Sequence, residues 1–118
     1  MKLSTLLAAA SVSTGVFAAE CTYENLGQSQ LPRRYYLGAG LGENPDIAGR
    51  CAGLWANLRR FTECHAVTVP WCGHGGNTPD YLEWHFTVPG ICNTGMVEST
   101  WWEATRNEFG AVQCRRRE

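Results

Sequence analysis

The chain has 118 residues, of which 44% are hydrophobic and 18% are charged, and its formal net charge at pH 7 is −1. This length suits one domain, and the near-neutral charge lacks the basic footprint of most nucleic-acid-binding proteins. Only the C-terminal "CRRRE" is locally basic, and we interpret it as a solvated terminus. Beyond the N-terminal segment, no apolar run is long enough to form a membrane helix, so we expect no membrane association.

The first residues, "MKLSTLLAAASVSTGVFAAE", have the pattern of a secretory signal peptide. One lysine precedes an apolar run that is too short to span a bilayer, and small residues follow it. Val16 and Ala18 fit the small-residue rule at a cleavage site, so we predict a signal peptide over residues 1–18. Residues 19–118 then form a single extracellular domain. This domain contains nine arginines, no lysine and eleven acidic residues, so its net charge is −2.

An even number of cysteines in a secreted chain predicts a disulfide framework. Each bond typically stabilises a small domain by about 2–4 kcal/mol. Metal binding is the rival use of cysteine, but the spacings contain no Cys-x-x-Cys pair, so we expect neither a metal nor another cofactor. The six residues are Cys21, Cys51, Cys64, Cys72, Cys92 and Cys114. The spacings of the four middle cysteines leave their pairing open.

The mature chain opens with two short predicted strands, around Thr22–Tyr23 and Tyr35–Leu37, and a helix follows over residues 45–62. Asn44 is placed to cap this helix, and Pro45 suits its first position. Apolar residues then recur on one face at helical spacing. They are Ile47, Cys51, Leu54, Trp55, Leu58 and Phe61.

After the helix, the pattern predicts strands and turns. We expect a strand over residues 64–69 that ends at Pro70, a loop over 71–80 and a strand over 81–88. A third strand over 95–102, a turn or short helical piece over 103–108 and a last strand over 109–114 follow. This order predicts an α+β fold in which one helix packs on an antiparallel sheet.

The strand "YLEWHFTV" is the clearest pattern in the chain. Alternation places Leu82, Trp84, Phe86 and Val88 on an apolar face, and Tyr81, Glu83, His85 and Thr87 on a polar one. Neighbours on one face lie about 6–7 Å apart, so Glu83 and His85 form a hydrogen bond only if both side chains lean together.

Two adjacent tryptophans, Trp101 and Trp102, lie on the predicted third strand, so one of them is expected to be exposed. Exposed aromatic residues are enriched at binding hot spots and at stacking platforms. We therefore take Trp101, Trp102, Tyr81, Glu83 and His85 as candidate binding residues.

The stretch "YLEWHF" resembles the Tyr-x-Glu-Trp strand of the small fungal guanyl-specific ribonucleases. In that family a helix precedes the sheet and a histidine lies one strand before the glutamate, as His65 lies eighteen residues before Glu83. A disulfide joins the ends of the chain in that family. The resemblance therefore implies a ribonuclease-like layout and a Cys21–Cys114 bond.

The catalytic set of that family is incomplete here, because no histidine follows His85 and Arg106 falls in a predicted turn. The pattern resembles the ribonuclease-like virulence effectors that plant-pathogenic fungi secrete, which keep the fold and lack the catalytic set. We therefore expect a monomeric, non-catalytic protein that binds a host protein or RNA. The alternatives are an active ribonuclease using Glu83 with His65 or His85, and a killer or antimicrobial toxin built as an α/β sandwich.

Overall fold

The computed structural model describes residues 19–27 and 32–117, so the predicted signal peptide, residues 1–18, lies outside the described residues. Across these ranges the protein is α+β, with five strands, two α-helices and a short 3-10 helix, Thr62–Cys64. The strands and α-helices in chain order are β1 Glu20–Asn25, β2 Arg33–Gly40, α1 Ile47–Leu58, β3 Thr68–His74, β4 Tyr81–Val88, α2 Thr94–Thr105 and β5 Cys114–Arg116.

The five strands form one sheet in the order β3-β4-β2-β1-β5. All neighbours are antiparallel except β5, which runs parallel to β1 with Cys114 opposite Cys21. The prediction of a purely antiparallel sheet was therefore wrong. The parallel pair arises because α2 carries the chain back across the sheet before β5 begins, and a parallel pair needs such a crossover.

Strand β4 has the predicted bounds, and its burial alternates as predicted except at Thr87, which is buried. Leu82, Trp84, Phe86 and Val88 are all buried. They join one core with residues of both helices, and the ring of Trp55 in α1 contacts Trp84 at a centroid distance of 5.4 Å. Both helices therefore pack on this apolar face of the sheet.

Helix α1 is shorter than the predicted span of residues 45–62. Its N-cap is Asp46, whose carboxylate accepts a hydrogen bond from the backbone N–H of Gly49 at 3.2 Å. Asn44 and Asp46 both have positive φ, so the helix begins only at Ile47. Cys51, Leu54 and Leu58 form its buried stripe, as the apolar spacing predicted.

The second helix, α2, replaces the strand predicted over residues 95–102, so the prediction of a single helix was wrong. Asn93 caps α2 by accepting a hydrogen bond from the N–H of Met96 at 3.0 Å. Val97, Trp101 and Thr105 are buried at four-residue spacing. Val, Thr and Trp favour strands, but burial of this one face against α1 and the sheet outweighs that local preference.

Strand β3 runs through Pro70, so the predicted strand over 64–69 and the loop over 71–80 have the wrong boundary. Pro70 is tolerated because β3 is an edge strand with a bulge. Thr68 pairs with Thr87 and Trp71 with His85, so β3 contains one extra residue there. That residue turns Trp71 onto the same sheet face as His85.

The last predicted strand, residues 109–114, is irregular as far as residue 113, although Phe109 and Val112 are buried. Strand β5 begins only at Cys114, which forms the disulfide with Cys21 that the ribonuclease resemblance implies. The other two bonds are Cys51–Cys72, which ties α1 to β3, and Cys64–Cys92. All six cysteines are therefore paired.

Candidate functional site

The sheet face opposite the helices is the candidate site, and we call it the open face. It is built from β1 to β4 and from the chain at the end of β5, which bring together residues far apart in sequence. Strand pairing places Trp71, His85, Tyr36 and Thr22 in one row across four strands. The other polar side chains on this face include Glu20, Glu24, Arg34, Tyr81, Glu83, Thr87, Arg115 and Arg117.

Three rings in that row contact one another, and we call Trp71, His85 and Tyr36 the aromatic row. The ring of Trp71 stacks on His85 at 5.4 Å with an interplanar angle of 28°, and His85 lies 5.4 Å from Tyr36. The guanidinium of Arg117 lies 3.7 Å from the centroid of Tyr36. Trp71 lies at the outer end of this stack, and its side chain is 45% exposed.

Glu83 and His85 do lean together, because His85 Nε2 lies 3.3 Å from Glu83 Oε1. The turn between β3 and β4 holds the glutamate in place. A Cβ atom at Gly75 would overlap the Glu83 carboxyl group, so only glycine fits there without displacing that side chain. The two residues therefore form one hydrogen-bonded unit on the open face.

A small cavity of about 190 Å³ lies between this unit and β1. Tyr81 crosses Gly38, where any Cβ atom would overlap the phenol ring. Burial raises the pKa of Tyr81 above its ordinary value, and the nearby carboxylates of Glu20 and Glu83 raise it further. The phenol therefore stays protonated at neutral pH and can donate a hydrogen bond.

Tyr36 and Arg117 are fixed by contacts with β1. The Tyr36 hydroxyl donates to Glu24 Oε2 at 2.5 Å, and this hydrogen bond, assisted by burial, raises the pKa of Tyr36. Arg117 donates from Nε to the Thr22 hydroxyl at 3.0 Å and from its backbone N–H to the carbonyl of Tyr23 at 2.8 Å. The backbone of the basic C-terminal segment is therefore paired with the sheet, while Arg115, Arg116 and Arg117 are exposed, as expected for a solvated terminus.

The remaining candidates from the sequence lie elsewhere. His65 Nε2 bonds to the carbonyl of Arg59 at 2.6 Å, at the end of α1, and not to Glu83 or His85. Trp101 is fully buried in α2, and its neighbour Trp102 is 44% exposed on that helix. Of the candidate residues, the open face therefore unites Tyr81, Glu83 and His85 alone.

Sequence reasoning missed Tyr36, Trp71 and Arg117, which complete the site. Tyr36 had a detectable signal, because it lies on a predicted strand and alternates with the buried Tyr35. Trp71 falls in the predicted loop, because a proline such as Pro70 is expected to end a strand. Arg117 reaches the site through the parallel pairing of β5, which has no local sequence signal.

Among residues 19–27 and 32–117, no three His, Cys, Asp or Glu side chains cluster so as to hold a metal ion. In the same ranges, no helix has the length and apolar character needed to cross a bilayer.

No protein-family model, no curated protein and no solved structure matches the chain.

Proposed function

We propose that the protein is a secreted, non-catalytic, effector-like protein that binds a host protein through the open face. The observation that carries this proposal is the ordered aromatic row, which ends in the half-exposed Trp71 and is backed by Arg117. Trp, Tyr and Arg are the residue types most enriched at hot spots of protein interfaces. The rings are already stacked in the free protein, so binding costs little side-chain ordering.

The charges on the open face favour a protein over RNA as the partner. Arg34, Arg115 and Arg117 are matched by Glu20, Glu24 and Glu83. Affinity for RNA depends largely on cations that neutralise phosphates, and three interleaved carboxylates oppose it. A protein surface with charges of both signs complements such a face.

The geometry of Glu83 and His85 supports a non-catalytic role. Cleavage of a phosphodiester requires a base and an acid on either side of the reacting group. Glu83 and His85 bond to each other and so act as one proton-transfer unit. Arg117, which lines the same cavity as that unit, is stacked on Tyr36 and bonded to Thr22, and His65 bonds instead to the carbonyl of Arg59.

We also propose that the protein acts as a monomer. Both edges of the sheet are poor templates for pairing with a second copy. Strand β3 has a bulge and Pro70 at its edge, and β5 has three residues. Bulges, edge prolines and short edge strands all disfavour edge-to-edge association.

A second candidate function is a toxin that acts on competing microbes. The observation that favours it is the layering of two helices on one face of a five-stranded sheet, which is an α/β sandwich. Inhibition of microbial growth by the purified protein would support this candidate over the effector.

Incubation of the disulfide-intact protein with single-stranded RNA tests the proposed function against its enzymatic and RNA-binding alternatives. We expect no cleavage above that of Glu83→Gln, and affinity weaker than about 1 µM at physiological salt, typical of non-specific contacts. Gel analysis of end-labelled RNA and fluorescence polarisation provide the two measurements.

Cleavage by the wild type that Glu83→Gln abolishes would make the protein an enzyme. Tight binding that Trp71→Ala weakens would make RNA the ligand of the open face.

A further inference from the structure

A groove of about 470 Å³ adjoins the open face, and Trp71 belongs to both. It lies between the end of α1 and the edge strand β3, and we call it the Trp71 groove. Its lining is mainly apolar, with two basic side chains and no carboxylate. The lining residues are Trp55, Leu58, Arg59, His65, Val67, Pro70, Trp71 and Cys72.

The backbone beside this groove is strained. Val69 has φ of 49°, in the left-handed region that β-branched residues avoid, at a cost of about 1–2 kcal/mol. Its side chain is 56% exposed, and Pro70 and Trp71 beside it are exposed too. The bulge at Val69 thus brings a contiguous apolar segment to the surface, where it contributes little to the core. Strain that exposes apolar side chains is typical of a binding site.

The positive charge of the Trp71 groove indicates which polar group a partner places beside its apolar side chain. Arg59 lines the groove and forms no ion pair with any residue in the described parts of the chain. The next residue, Arg60, instead donates to the side-chain oxygen of Asn57 at 3.2 Å and lines a different cavity, beside Phe61 and Glu103. A groove with basic side chains and no acid complements a carboxylate.

We infer that the Trp71 groove binds a segment of the partner protein with an apolar anchor and an adjacent Asp or Glu. This inference rests on the proposed function, because it specifies the chemistry of the protein partner. The anchor packs against Pro70 and Trp71, and the carboxylate pairs with Arg59. Trp71 joins the two surfaces, so the partner covers the aromatic row and the groove together.

Synthetic peptides test this inference. The probes are fluorescein-labelled twelve-residue peptides that contain one Leu-Phe anchor in a Gly-Ser background, with zero, one, two or four Asp, and a matched series with Lys. We expect fluorescence polarisation to show affinity that rises with the number of Asp and is lost when the anchor becomes Ser-Ser. Arg59→Glu should weaken binding of the Asp peptides about tenfold, whereas the neighbouring Arg60→Glu should leave it unchanged.

Equal binding of the Asp and Lys peptides, equal losses in Arg59→Glu and Arg60→Glu, or no peptide binding would overturn the inference. Arg117→Glu separates this failure from failure of the proposed function, because Arg117 lies on the open face and not in the groove. A protein partner that is lost in Arg117→Glu and retained in Arg59→Glu would reject the groove and keep the open face.

Discussion

Replacing Cys21 and Cys114 together by alanine is expected to lower the free energy of unfolding by about 4–5 kcal/mol. The two cysteines are 93 residues apart, so their bond closes most of residues 19–118 into one loop. In the chain-entropy account, a longer loop removes more freedom from the unfolded state. The bond also fixes β5 beside β1, and thereby Arg117 beside Tyr36. Denaturant unfolding under non-reducing conditions measures the change.

The matched control is the Cys51–Cys72 pair, whose separation is 21 residues. Its replacement by alanine should cost less, about 3 kcal/mol, because the loop is shorter. A smaller loss for the Cys21–Cys114 pair than for this control would contradict the role of the long loop.

Trp101→Ala is expected to cost about 3–5 kcal/mol, and Trp102→Ala less than about 1 kcal/mol. Trp101 is fully buried where α2 packs on the core, whereas Trp102 is 44% exposed. The two substitutions remove the same side chain from adjacent positions, so their difference measures burial. Thermal or denaturant unfolding of both variants gives the comparison.

Trp101→Phe keeps this prediction testable if the alanine variant does not fold. Phenylalanine retains an aromatic ring in the core, so we expect it to cost less than the alanine substitution and more than Trp102→Ala. Equal stability of the two alanine variants would contradict the burial of Trp101 and the exposure of Trp102.

Local patterns in the sequence were sufficient to predict β4 and most of α1. Leu82, Trp84, Phe86 and Val88 alternate strictly, and Cys51, Leu54 and Leu58 follow helical spacing, so each pattern identifies one buried face. Helix α2 was missed because its β-branched and aromatic residues favour strands locally. Its helical state depends on the Asn93 cap and on burial against the rest of the core.

The candidate site could be predicted only where it lies on a single strand. Tyr81, Glu83 and His85 share β4, so alternation alone places them on one face. Tyr36 and Arg117 join them through strand pairings between distant parts of the chain. Trp71 joins them through the bulge at Val69, and no local pattern indicates that bulge.

The resemblance to guanyl-specific ribonucleases correctly implied the Cys21–Cys114 disulfide, but it did not predict the arrangement of helices and strands. A second helix and a parallel β5 both depart from the layout expected from it. The structure establishes an α+β fold with a mixed sheet, and the likeness to ribonuclease-like effectors stays a proposal.

Affinity capture with a matched pair of variants tests the central claim, that Trp71 and the open face bind a protein. Trp71 and Trp102 are 45% and 44% exposed and lie on different surfaces. The wild type, Trp71→Ala and Trp102→Ala are immobilised with their disulfides intact and exposed to plant extracellular fluid, and the bound proteins are quantified by mass spectrometry. We expect one partner that the wild type and Trp102→Ala retain equally and that Trp71→Ala loses by about 30-fold, the effect of a hot spot worth 2 kcal/mol. Equal retention by all three proteins, or equal loss in both variants, would contradict the account.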